Sequence, residues 1–135
     1  MIVLDCSAAI DIVRETSRGK AFAQFMMDGE RVISSDLFHA EIANTFWKYS
    51  RAGYCSEKEA NVYREKATRL VDEFFDVEDC CQEALREATR LDHPVYDMLY
   101  FVLTRRMNAT LFTLDKKLAA LCDREGVHCV QGVVF

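Results

Sequence analysis

The stretch that decides the fold is the first: Met1-Ile2-Val3-Leu4-Asp5-Cys6-Ser7-Ala8-Ala9-Ile10. Ile2, Val3 and Leu4 form a short unbroken apolar run, which suits a strand buried on both faces, as in a parallel sheet. Asp5 arrives where that strand should stop. Ser7, two residues on, is the expected cap of a short helix through Ile10 and Val13. The order is therefore strand, acid, turn, helix. In open parallel sheets ligands bind beyond the carboxyl ends of the strands, and Asp5 is expected there. Taken alone, it is equally well a turn or capping residue.

The pattern repeats along the chain. Ser17 to Met27 reads as a second helix through Ala21, Phe22, Phe25 and Met26, ended by Gly29. Arg31 to Ser34 reads as a strand, and Asp36 as the cap of a long helix from Leu37 to Ala52 that stops at Gly53. That third helix is apolar over most of its circumference (Phe38, Ala40, Ile42, Ala43, Phe46, Trp47), with Glu41, Asn44, Thr45 and Lys48 on one narrow stripe. Ser56 and Glu59 form a capping box for a fourth helix. Glu73 to Val77 reads as a third strand. Asp79 to Leu91 reads as a helix with Ala84, Leu85, Ala88 and Leu91 on one face. Pro94 suits the first turn of the next helix, Val95 to Met107, which is apolar nearly all round and so buried. Thr110 to Leu114 is a fourth strand ending in Asp115. Lys116 to Glu125 is a helix stopped by Gly126, and Val127 to Val130 a fifth strand. Strands alternate with helices throughout, which predicts one α/β domain with a parallel sheet over residues 1–135.

The totals agree with that class. The chain has 135 residues, half of them hydrophobic, with one proline and five glycines. This composition argues against a linker, a low-complexity tail or a turn-rich all-β fold. No uncharged apolar run approaches the roughly 18 residues of a membrane span, and Asp5 interrupts any export signal at once. A cytoplasmic protein with no membrane association is expected. The six cysteines contain no Cys-x-x-Cys pair and share no ligand spacing with the three histidines, so reduced thiols are expected rather than disulfides or zinc. The formal net charge of −5 is unusual for a nucleic-acid binder, which is usually basic.

Four acids stand out. Asp5 and Asp115 follow buried strands, while Glu41 and Asp97 sit early in helices; in a right-handed βαβ arrangement all four can face one edge of the sheet. Converging carboxylates repel, so at least one would hold its proton above the usual range unless a divalent cation joined them. All-oxygen donors select Mg²⁺ or Mn²⁺ over zinc.

In these residues the sequence resembles the PIN domains, and within them the VapC ribonuclease toxins of prokaryotic toxin–antitoxin pairs. The resemblance is carried by Val3-Leu4-Asp5-Cys6-Ser7, Ala40-Glu41-Ile42-Ala43-Asn44, Tyr96-Asp97-Met98-Leu99-Tyr100 with Leu103, and Thr113-Leu114-Asp115-Lys116-Lys117-Leu118. It covers nearly the whole chain. It implies a five-stranded parallel sheet in the order 3-2-1-4-5, flanked by about seven helices, with strands one and four adjacent at the switch point. It further implies Asp5, Glu41, Asp97 and Asp115 as a catalytic, metal-binding site supported by Ser7, Asn44 and Thr113. Met98 stands where the family often has a small residue. It faces about 100° away from Asp97 on the helix, so a packing difference is expected rather than a lost site.

The activity so implied is Mg²⁺- or Mn²⁺-dependent hydrolysis of RNA phosphodiester bonds, by in-line attack of water. Asp5, Asp97 and Asp115 are the implied ligands. Glu41 is either a ligand through water or the group that orients the nucleophile. Lys48, Arg51, Lys116 and Lys117 are candidates for steering phosphate. The implied partners are an RNA substrate, a small VapB-type antitoxin and a second copy of the chain. The rival is a non-catalytic interaction module of the same fold. A phosphotransferase with Asp5 as nucleophile would want an acid where Ser7 stands, and a Walker-type NTPase is excluded by the lack of a Gly-rich loop.

Overall fold

A computed structural model describes residues 1–26 and 29–131. Its five strands are β1 (Ile2–Leu4), β2 (Val32–Ser35), β3 (Glu73–Phe75), β4 (Thr110–Thr113) and β5 (Cys129–Gln131). They form one sheet in the order β3-β2-β1-β4-β5, with every neighbouring pair parallel. Seven helices cover it among the described residues: α1 (Cys6–Val13), α2 (Ser17–Met26), α3 (Leu37–Arg51), α4 (Glu57–Arg69), α5 (Glu78–Leu91), α6 (Val95–Arg106) and α7 (Lys116–Glu125). The single α/β domain and its strand order are those the resemblance implied. Met27, the expected last residue of the second helix, lies outside the described residues, as does the stretch 132–135.

Alternation along the short central strands splits the core into two layers. Ile2, Leu4, Val32 and Phe112 face one side and meet Phe22 of α2 and Phe38, Ile42 and Phe46 of α3. Val3, Ile33 and Leu111 face the other and meet α5, α6 and Leu118, Leu121 and Cys122 of α7. Helix α6 is buried without interruption from Met98 to Thr104, as its all-round apolar character requires. Met98 is fully buried in that layer.

Several local expectations are corrected. The cap of α1 is Asp5, whose Oδ1 accepts from the Ala8 amide at 3.0 Å; Ser7 lies inside the helix. Asp36 makes no cap bond to α3. Its Oδ1 accepts from the Val77 amide at 3.1 Å, while Ser35 Oγ accepts from the Leu37 amide at 3.3 Å. Helix α3 buries one row, Phe38, Ile42 and Phe46, and leaves Ala40, Ala43 and Trp47 exposed. Leu85 of α5 is likewise exposed rather than part of the buried face. The Asp36 carboxylate is drawn from its own helix by an amide 41 residues away.

Candidate active site

The site begins with a motif used twice. Asp5 ends β1 and caps α1; Asp115 follows β4 and caps α7, its Oδ1 accepting from the amides of Lys117 at 2.9 Å and Leu118 at 3.0 Å. The register sets Leu4 opposite Phe112, and the Asp5 amide continues the ladder to the Phe112 carbonyl at 3.2 Å. Both acids therefore leave the same edge of the sheet at adjacent strand ends, where the connections diverge to opposite faces.

Glu41, just past the first turn of α3, and Asp97, in the first turn of α6, reach the same place. Asp5, Glu41, Asp97 and Asp115 line one cavity of about 220 Å³, together with Cys6, Ser7, Ile10, Thr45 and Tyr100. A larger groove of about 430 Å³ runs along Ala43, Phe46, Trp47 and Arg64 between α3 and α4, but among the described residues that line it Glu57 is the one acid. Convergent charge, not size, marks the candidate site.

Each carboxylate is held by one oxygen. Asp5 Oδ1 also accepts from Ser7 Oγ at 2.7 Å. Ser7 Oγ in turn accepts from the Leu114 amide at 2.9 Å, and Thr113 Oγ1 accepts from the Asp115 amide at 3.0 Å. These hydroxyls stitch the two strand ends together. Glu41 Oε1 accepts from the Tyr100 hydroxyl at 2.5 Å, and Asp97 Oδ2 lies 2.8 Å from His93 Nε2. Asn44 is exposed and does not line the cavity; Thr45, one residue on, does. From Glu41, position i+4 lies about 40° round the helix and i+3 about 60° the other way, so the tilt of α3 decides between them.

Burial dominates the electrostatics. It pushes the Asp5 carboxyl up to about 6, against the opposing influence of the nearby Thr113 hydroxyl and of the bonds from the Ala8 amide and Ser7, and Glu41 adds a smaller push. Burial also raises Glu41, with the Tyr100 hydroxyl opposing and Asp97 adding to the rise. The Tyr100 hydroxyl is itself raised by burial and by Glu41, so it remains a donor. Burial pushes the Cys6 thiol up to about 12, with Glu41 and Asp5 adding, which keeps it a neutral wall of the cavity.

Sequence reasoning missed His93 and Tyr100 as partners of the acids. The signal was available in part: His93 precedes Asp97 by four residues, just ahead of α6, whereas Tyr100 bonds Glu41 from 59 residues away and left no local trace.

The donor set fits a hard divalent cation: one buried and three half-buried carboxylates, with no cationic side chain among the described residues that line the cavity. Among the described residues no three His, Cys, Asp or Glu side chains stand close enough to hold one ion between them. Mg²⁺ dehydrates reluctantly and is usually held by one or two carboxylates with water completing its shell, so Asp5, Glu41, Asp97 and Asp115 remain suited to it.

The profile of the PIN domain family matches residues 2–124 of this chain. Ribonuclease VapC3 of Pyrobaculum aerophilum is 27% identical over 124 residues, spanning 87% of this chain and 92% of that protein. The crystal structure of a Pyrobaculum aerophilum protein superposes with a TM-score of 0.73 at 21% identity, over 88% of this chain and 77% of that one. VapC20 of Mycobacterium tuberculosis, a sarcin-ricin-loop-cleaving toxin, superposes with a TM-score of 0.62 at 20% identity, over 90% and 95%. At those identities the two structures bear on the fold alone. The family profile, by contrast, extends from β1 to the last turn of α7 and so spans all four acids: the chain belongs to the PIN domain family.

Proposed function

We propose that this protein is a metal-dependent endoribonuclease, the toxin of a VapBC-type pair, with Asp5, Glu41, Asp97 and Asp115 as its catalytic and metal-binding acids. The observation that carries the reading is the convergence of four acids, from four separate elements, on one cavity at the carboxyl ends of β1 and β4. The family and the likeness to Ribonuclease VapC3 supply the substrate class. A bound Mg²⁺ or Mn²⁺ would neutralise the acids, activate water and stabilise the leaving oxygen. The chain's own contribution is to present the carboxylates. Asp5 and Asp115 are fixed by helix caps and by the hydroxyls of Ser7 and Thr113, and Glu41 by Tyr100. With Oε1 so engaged, Glu41 can offer its other oxygen to a water molecule and take up a proton, a role its raised affinity for protons suits. Lys116 and Lys117 open α7 beside Asp115, and Lys48 and Arg51 are exposed on the last turn of α3; these would receive flanking phosphates and offset the negative net charge. In the same reading a small VapB-type antitoxin and a second copy of the chain are its partners, in the cytoplasm. Among the described residues no helix is long and apolar enough to cross a membrane.

The test is cleavage of single-stranded RNA by the purified chain. Cleavage is expected with Mg²⁺ or Mn²⁺, and is expected to vanish in EDTA and in Asp5→Asn and Asp97→Asn. Cleavage undiminished in EDTA removes the metal mechanism. No cleavage by the wild type with either ion leaves the non-catalytic interaction module as the better reading.

A further inference from the structure

The segment Leu91-Asp92-His93-Pro94-Val95-Tyr96-Asp97 joins α5 to α6 in two residues of turn and one proline. Asp92 ends α5 in the left-handed region, at φ 52°. The His93 amide then turns back to the Ala88 carbonyl at 3.1 Å. Pro94, at φ −57°, starts α6 without needing a donor of its own. This sharp reversal sets the His93 ring over the first turn of α6, four residues from Asp97. The His93 side chain is 11% exposed and its Nε2 lies 2.8 Å from Asp97 Oδ2.

The other three acids are oriented by different devices: helix caps for Asp5 and Asp115, a tyrosine hydroxyl for Glu41. Asp97 has none of these. The N-cap position of α6 is Pro94, which makes no side-chain cap bond. Among the described residues His93 is the one side chain that hydrogen-bonds Asp97. An unrestrained aspartate in a first helical turn can rotate toward the free amides of its own helix and away from a cavity. An ionised carboxylate only accepts, so Nε2 must carry the hydrogen.

We propose that His93 is a positioning residue for the acidic cavity: its Nε2–H holds Asp97 by Oδ2 and thereby presents the other oxygen to the divalent cation. The proposal rests on the reading of the four acids as a cation site. A carboxylate ligand fixed by an outer hydrogen bond loses no rotational freedom on binding, and removal of such an outer partner typically weakens metal affinity about 10–100-fold.

The experiment measures Mn²⁺ binding to the full chain by calorimetry without RNA, alongside RNA cleavage at low and saturating Mn²⁺. His93→Leu keeps bulk and removes the donor. His93→Gln places an amide N–H near the position of Nε2. Expected are a fall in Mn²⁺ affinity of about tenfold or more for His93→Leu, recovery of most of it in His93→Gln, and a cleavage defect that shrinks at saturating Mn²⁺. A purely structural role would not divide the two variants by metal concentration. Wild-type affinity in His93→Leu, or a His93→Gln chain no better than His93→Leu, overturns the proposal. If His93→Leu fails to fold, His93→Asn replaces it, since its amide sits nearer Nδ1 and falls short of Asp97. The underlying reading is judged separately: a wild type that binds no Mn²⁺, or an Asp97→Asn chain that binds and cleaves normally, removes the cation site and the role of His93 with it.

Discussion

At the scale of single residues, the acid that carries the electrostatic cost of the cavity is Asp5. Mutual repulsion among four carboxylates was the expected cause of raised proton affinity, but burial is the larger one, and the field of Glu41 is the least of the influences on Asp5. The consequence for stability has a definite sign. Asp5 takes up its proton at about 6 in the folded chain, against an ordinary 3.8, so the folded state binds more protons between those values. The resulting stability is full below about 4 and is lost as pH rises through about 6. Ionised Asp5 therefore costs the metal-free protein about 3 kcal/mol at neutral pH, at one pKa unit per 1.36 kcal/mol, as an upper figure. Asn keeps an oxygen that can accept from the Ala8 amide and Ser7. Asp5→Asn is expected to melt above the wild type in EDTA at pH 7.5, by several degrees, and level with it near pH 4, while losing cleavage. Melting curves at the two pH values check this; a variant that melts below the wild type at both would mean that the hydrogen bonds to Asp5, not its charge, dominate.

At the scale of elements, the junction of α1 and α2 is where propensity and packing oppose each other. Gly19 lies within α2, where glycine ordinarily costs about 1 kcal/mol relative to alanine. A Cβ at Gly19 would fall 1.9 Å from the Asp11 carbonyl oxygen and 2.2 Å from its carbon, both backbone atoms of α1. The same approach lets Thr16 bond Asp11 Oδ2 at 3.0 Å and receive the Gly19 amide at 3.0 Å. Gly19→Ala must separate the two helices, so it is expected to destabilise by ~2–3 kcal/mol despite the better helix former. Denaturant unfolding measures it, and a neutral or stabilising result would show that α2 can slide without cost. Helix existence and ends were largely legible: the Ser56–Glu59 capping box and the Gly126 stop stand as read. The caps at Ser7 and Asp36 were misread because each polar group found a competitor far along the chain, Leu114 for Ser7 and Val77 for Asp36.

At the scale of the whole molecule, the open question is what covers the apolar surface that the core does not. Trp47, 54% exposed, lies under the Arg51 guanidinium at 4.6 Å, and Tyr54, seven residues after Trp47, is 79% exposed. One sheet cannot cover every face of a helix as apolar as α3, and the core takes only the Phe38, Ile42 and Phe46 row. A homodimer is expected in solution. Light scattering at tens of micromolar should return twice the chain mass, since an ordinary dimer of ~1 μM affinity is formed there; a strict monomer counts against it.

The sequence by itself determined the class of fold, the alternation of strands and helices, and the acids worth watching. Those properties are local: an apolar run with an acid at its end, a helical period, a capping pair. The tertiary structure alone decided which side of each helix is buried and which of Asn44 and Thr45 meets the cavity. It also decided that Tyr100 holds Glu41, and that burial outweighs mutual repulsion at Asp5. Those depend on the angle at which one element crosses another and on how much water the crossing excludes. Both arise from contacts between residues far apart in the chain, as Glu41 and Tyr100 are, which no window of sequence contains.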